Sequence, residues 1–199
     1  MKLKPTALLF DMDGVLVDSL DSWWQALNHA LRTFKRPEIS RDEFIGNYWG
    51  HDLYDNLERM KLDEEIGLFC NATYGDHLDD IKIYPDTKPT LQHLSPYAKG
   101  VITNTPNDCA WQVLERFSIK QYFTTVVTSD EVAKAKPSPE IVYKACDILK
   151  VKPHDVVMIG DTMNDVRAGR EAGCTVIGVG IDADYRIERL AALKDLIKV

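Results

Sequence analysis

The chain has no long apolar run, no Cys-x-x-Cys pair and no cluster of lysines and arginines. Each absence removes a class of function. The apolar stretch nearest the N-terminus, Ala7 to Phe10 behind Thr6, falls far short of the ~20 residues of a membrane span and is too short for a secretion signal. A soluble, cytoplasmic protein is therefore expected. The four cysteines, Cys70, Cys109, Cys146 and Cys174, are widely spaced and have no histidine at metal-ligand spacing, so they read as buried thiols. With 24 Lys+Arg against 31 Asp+Glu, a net charge of -7 and the signs interspersed, no basic stripe is offered to a phosphate backbone. Neither nucleic acid nor a membrane is an expected partner. A monomer or homodimer that binds a small molecule is.

What is present is enough chain for one domain, or one domain carrying an insert, since domains average ~150 residues and this chain has 199. Five short apolar runs are predicted strands: Ala7 to Phe10, Gly100 to Thr103, Thr125 to Thr128, Val156 to Ile159 and Thr175 to Val179. Helical patterns separate the later ones. One starts at Thr105-Pro106, with Thr105 in the capping position, and runs to Phe117. The next starts at Ser138-Pro139 and runs to Leu149, and a third runs from Met163 to Ala172 with Gly173 as its C-cap. Alternating strands and helices predict an α/β fold with a doubly wound parallel sheet. Between Phe10 and Gly100 the periodicity is instead helical, through Trp23 to Phe34, Leu53 to Met60, and Ile66, Cys70, Thr73 and His77, with Ser40 and Glu43 as a capping box. This predicts a helical insert over residues 18–83, leaving a core of residues 1–17 and 84–199, with Tyr84-Pro85-Asp86 as the return hinge.

The chemistry-bearing residues stand at strand ends. The first strand runs into Asp11-Met12-Asp13-Gly14, two acids on one face of an extended segment before a glycine turn. The fourth runs into Gly160-Asp161-Thr162-Met163-Asn164-Asp165. In an open parallel sheet the carboxyl ends of the strands form the ligand crevice. Four acids converging there repel one another unless a cation joins them, and carboxylate oxygens with a substrate phosphate suit Mg²⁺. Thr103-Asn104-Thr105 supplies hydroxyls and amides, and Lys136, stiffened by Pro137 and Pro139, a positive charge. Acid, hydroxyl, lysine and acid pair at successive strand ends are most simply explained by a phosphate site.

In these four segments the sequence resembles the haloacid dehalogenase superfamily, specifically its phosphatases with a small helical cap, the phosphoglycolate phosphatase and β-phosphoglucomutase group. The carriers are Asp11 to Ser19, Thr103-Asn104, Lys136-Pro137-Ser138-Pro139-Glu140, and Gly160 to Asp165 continued by Val166-Arg167-Ala168-Gly169. The resemblance implies a Rossmann-like core with an inserted cap and Mg²⁺-dependent hydrolysis of a small phosphomonoester through an aspartyl-phosphate. Asp11 would be the nucleophile and Asp13 the acid and base. Thr103, the Asn104 amide and Lys136 would bind the phosphoryl group. The metal would be held by Asp11, Asp13 through its carbonyl, and Asp161, with Asp165 in support. Asp13 argues against a dehalogenase, which lacks an acid there. A phosphosugar mutase is the alternative enzyme, but Trp49 and Trp23 stand where its cap arginine and histidine belong. A non-enzymatic phospho-ligand-binding protein is the remaining alternative. In the cap, Trp23 and Trp49 are the leading substrate contacts, with Trp24, Asn47, Tyr48 and His51 as further candidates.

Overall fold

The structure, a computed structural model, describes residues 2–199. In chain order the strands are β1 (Ala7–Phe10), β2 (Val17–Asp18), β3 (Lys82–Ile83), β4 (Ala98–Thr103), β5 (Thr125–Thr128), β6 (Val156–Gly160), β7 (Thr175–Val179) and β8 (Tyr185–Ile187). The α-helices are α1 (Leu20–Thr33), α2 (Arg41–Asn47), α3 (Leu53–Met60), α4 (Glu64–Thr73), α5 (Thr87–His93), α6 (Asn107–Arg116), α7 (Glu140–Leu149), α8 (Met163–Ala172) and α9 (Leu193–Leu196). The expected α/β class is what forms: a six-stranded sheet, order β5-β4-β1-β6-β7-β8, with every neighbouring pair parallel. All four residues of β1 are fully buried, because a central parallel strand is covered on both faces and needs apolar side chains throughout.

The topology puts the chemistry in one place. Strand β1 pairs with β4 on one side and β6 on the other, so Phe10 stands opposite both Val101 and Ile159. The chain order reverses at β1, and a crevice opens beyond the carboxyl ends there. The segments after β1, β4 and β6 hold Asp11, Asn104 and Asp161.

Four helices, α1 to α4, lie between β2 and β3, which pair antiparallel with Val17 opposite Ile83 and Asp18 opposite Lys82. The helical segment thus leaves and returns through a two-stranded ribbon that the sequence did not suggest, since two residues carry no periodicity. Four local expectations change. Helix α7 starts at Glu140, with Pro139 and not Ser138 in the capping position. Strand β4 starts two residues early because Lys99 is accommodated inside, its ammonium donating to the Leu94 and Tyr97 carbonyls at 2.8 Å each. The stripe ending at His77 breaks after Thr73 into a 3₁₀ segment, Tyr74–Asp80. Thr105 does not cap α6: Pro106 occupies that position, and the Thr105 hydroxyl is used in the crevice. Ser40 does cap α2, accepting from the Glu43 N–H at 3.1 Å, and Gly173 ends α8 with φ +90°. No helix among the described residues is long and apolar enough to cross a membrane.

Candidate active site

At the centre of the crevice lies a buried cation between two carboxylates. Lys136 Nζ stands 2.9 Å from Asp11 Oδ1 and 2.7 Å from Asp165 Oδ1, and donates to the Ile102 carbonyl at 3.1 Å. Lys136 is 1% exposed and Asp165 0%. Burial by itself lowers the lysine pKa, but the charges of Asp11 and Asp165 outweigh it and hold the ammonium protonated. The Met12 N–H also donates to Asp11 Oδ1, at 2.7 Å, so both bonds reach the same oxygen. Burial first, then Asp165, push the Asp11 pKa well above the ordinary range, with Lys136 opposing. One lysine does not neutralise this cluster.

Asp161 carries the rest of the imbalance. One ligand oxygen from each of Asp11, Asp161 and Asp165 lies within 4.8 Å of the others. Asp161 Oδ1 is buried without a hydrogen-bond partner, and burial followed by the charge of Asp165 pushes its pKa from 3.8 up to about 8. An orphaned carboxylate oxygen beside two other acids fits a hard divalent cation, which takes oxygen ligands. Asp165 has little freedom to be a ligand itself. Its Oδ1 holds Lys136, while its Oδ2 accepts from the Thr162 N–H at 3.0 Å and hydroxyl at 2.6 Å, completing the capping box of α8. Gly14 keeps the space beside Asp161 open: at φ +77° it makes the turn, and a Cβ there would come within 2.0 Å of Asp161 Oδ2.

Asp13 is placed differently from the other acids. Its carboxylate lies outside the three-acid cluster and is held by hydroxyls: Ser19 on Oδ1, and Thr103 at 3.2 Å and Thr105 at 2.7 Å on Oδ2. A hydroxyl can donate to a carboxylate or accept from a carboxylic acid, so this cradle serves both protonation states. The Thr103 hydroxyl, expected to face a phosphoryl oxygen, is committed to Asp13. Asn104 makes a reciprocal pair with the Lys136 backbone, its Oδ1 accepting from the N–H at 2.9 Å and its Nδ2 donating to the carbonyl at 2.9 Å. It fixes the lysine loop.

The helical insert closes the crevice. Both Asn104 and Asn164 donate to the Gly50 carbonyl, at 3.1 and 3.0 Å, and tie the α2–α3 loop to the core. Beneath it is a cavity of about 50 Å³ with Asp11, Asp13 and Lys136 on the core side. Trp23 and Trp49 both line it, Trp23 stacked on Tyr74 with centroids 4.1 Å apart and Trp49 edge-on to Phe44. Tyr48 and His51 line it as well, whereas Trp24 is anchored to the Ile39 carbonyl at 3.0 Å and Asn47 lies outside the lining. Sequence reasoning missed Asn56, Asn164 and Ser19. Nothing distinguishes a polar residue on a helical stripe until its neighbours are known.

A family model described as haloacid dehalogenase-like hydrolase matches residues 8–179. The pyrophosphatase PpaX of Bacillus mycoides (strain KBAB4) is 28% identical over 182 residues, covering 89% of this chain and 84% of that protein. A HAD-superfamily hydrolase, subfamily IA, variant 1, from Geobacter sulfurreducens superimposes with a TM-score of 0.82 at 25% identity, covering 98% of this chain and 100% of the other. A mutant of CbbY from Rhodobacter sphaeroides, solved with xylulose-(1,5)bisphosphate, superimposes with a TM-score of 0.87 at 20% identity, covering 98% and 100%. That likeness is one of fold.

Proposed function

Because the chain belongs to the haloacid dehalogenase-like hydrolase family, we propose that it hydrolyses a small phosphomonoester with Asp11 as nucleophile, in a core of residues 1–17 and 84–199 capped by residues 18–83. The observation that carries this reading is Lys136, buried between Asp11 and Asp165 at the topological switch point. Burying three carboxylates and an ammonium is unfavourable for stability alone, and perturbed acids gathered in a cleft are the mark of a working site.

In the first step an Asp11 carboxylate oxygen attacks phosphorus, the ester P–O bond breaks, and Asp13 gives its proton to the departing oxygen. In the second step Asp13 takes a proton from water, whose oxygen attacks phosphorus. The Asp11–phosphorus bond then breaks and inorganic phosphate leaves. Lys136 orients Asp11 through Oδ1 and sets its charge against the phosphoryl oxygens, where charge is redistributed in the transition state. Ser19, Thr103 and Thr105 keep Asp13 aimed through both proton transfers. Asp11, Asp161 and the Asp13 carbonyl would hold Mg²⁺, with Asp165 behind them, and the ion would supply the positive charge that lets two anions approach.

Phosphate release from small phosphomonoesters, assayed with Mg²⁺ and again in excess chelator, tests this reading. Release that needs the metal supports it; release unaffected by chelation, or none from any ester, contradicts it. The acids add a pH prediction. Asp161 binds a proton up to about pH 8 when folded and only to about 3.8 when unfolded, so its contribution to stability is full below 3.8 and is lost as pH rises through 8. Metal-free protein should therefore melt lower near pH 8 than near pH 6, and Mg²⁺ should raise the melting temperature more near pH 8, where protons no longer compete for its ligands. A larger Mg²⁺ effect near pH 6 would contradict the assignment of these acids to the metal.

A further inference from the structure

The phosphatase reading above, on which the kinetic part of this inference rests, needs the α2–α3 loop seated over the crevice. Tyr48, Trp49, Gly50 and His51 all line the cavity from that loop. Beside the two amide bonds to the Gly50 carbonyl, the core makes a contact at the next residue. Asn164 Nδ2 lies 3.0 Å from the Gly50 oxygen and 3.2 Å from His51 Nδ1. The Gly50 carbonyl settles which way that amide points, since the reverse orientation would set its oxygen against the carbonyl oxygen. The Asn164 NH₂ therefore faces the imidazole, and the nitrogen it faces can bond only if it carries no proton.

The other ring nitrogen meets a second donor. Arg59 Nη1 stands 3.2 Å from His51 Nε2 and 3.3 Å from the Asn47 carbonyl. A neutral imidazole has one bare nitrogen, so it accepts from Asn164 or from Arg59 and not from both; a protonated ring accepts from neither. Exposure decides between the two. Asn164 is 7% exposed, so an N–H that loses its acceptor there goes unmet, whereas Arg59 is exposed and water replaces the imidazole. The surroundings oppose protonation of the ring. Burial first, then Arg59 of α3, push its pKa below 6.5; Asp55 of α3 opposes, and Arg167 of α8 adds to the push. Asp52, next in the chain, is turned to the Tyr54 N–H, and Asp11, Asp13 and Lys136 stand across the cavity.

We propose that His51 is the positioning residue that holds the α2–α3 loop over the crevice, that it does so as the neutral Nε2–H tautomer accepting from Asn164, and that protonation of the ring releases the loop. The latch is then fully made above about pH 6.5 and is lost as the pH falls through the lowered value.

Three substitutions separate the two partners. In His51→Asn the side-chain oxygen takes the place of Nδ1 and does not titrate; His51→Gln reaches instead toward Arg59, and His51→Leu toward neither. Amide hydrogen exchange of the peptide carrying Tyr48 to His51, corrected for intrinsic rates, reads the loop without activity. At pH 7 protection in the parent and in His51→Asn should exceed that in His51→Gln and His51→Leu by about 10-fold. Between pH 7 and pH 5 the parent should lose about 3-fold more protection than His51→Asn. With excess Mg²⁺ and an ester that passes the release assay, kcat/KM should follow the same order. The loss caused by His51→Leu should nearly vanish in an Asn164→Ala background and persist in Arg59→Met. Equal protection in His51→Asn and His51→Gln, or an acid loss that His51→Asn shares, overturns the proposal and leaves the phosphatase standing. The expected order of protection with no release from any ester overturns the phosphatase reading and supports the latch.

Discussion

Asp11→Asn is expected to lower phosphate release by about 10⁴-fold or more, since removing the nucleophile of a covalent mechanism removes the reaction path and not merely a contact. The same substitution should leave the fold intact or firmer. Asp11 is one of three acids sharing a buried cluster, its carboxyl is disfavoured as an anion by burial and by Asp165, and Lys136 keeps Asp165 as its partner when Asp11 is neutral. Urea denaturation of the metal-free variant should give a midpoint equal to or above that of the parent. Near-parental turnover would contradict the nucleophile assignment; a clearly lower midpoint would contradict the electrostatic account of the cluster.

Lys136→Met should have the opposite stability signature with a comparable loss of function. The methionine fills the space of the lysine stem but leaves Asp11 and Asp165 buried with no cation between them, a loss of about 3–5 kcal/mol by analogy with other broken buried pairs. Turnover should fall by about 10²–10³-fold from the missing charge on the phosphoryl group. The double variant with Asp11→Asn should recover part of the stability and none of the activity, because one of the unpaired anions is then gone. If Lys136→Met alone were as stable as the parent in metal-free solution, the ion pairs would not hold the crevice together. The two variants together thus separate a repulsive acid from the cation that restrains it.

How much of this was legible in the sequence follows from burial. Strands β1, β5 and β7 coincide with their predicted runs and β6 gains only Gly160; the central β1 and β6 are buried at every residue, as strands covered on both faces are. Strand β8 was missed for the converse reason. It lies at the sheet edge, only its Ile187 is buried, and Tyr185 and Arg186 read as loop. The core acids and Lys136 were visible because they follow strand ends in order, and the structure brings Asp11, Asp161, Asp165 and Lys136 together. The tasks of individual oxygens were not visible. Thr105 had the sequence of a helix cap and instead donates to Asp13, a contact across 92 positions that no local pattern encodes. Asn56 sits among Leu53 and Leu57 on α3, where only the packed neighbours reveal that its side-chain oxygen is buried without a partner.

The central claim is that a covalent bond forms between substrate phosphorus and Asp11, and chemical trapping tests it most directly. Protein mixed with a substrate that passes the release assay is quenched early in turnover and treated with borohydride, which reduces an aspartyl-phosphate to homoserine. Peptide mass spectrometry then locates the altered residue. The account predicts homoserine at position 11, dependent on substrate and absent in Asp11→Asn. Homoserine at another acid, or none during active turnover with a verified trapping control, would contradict it.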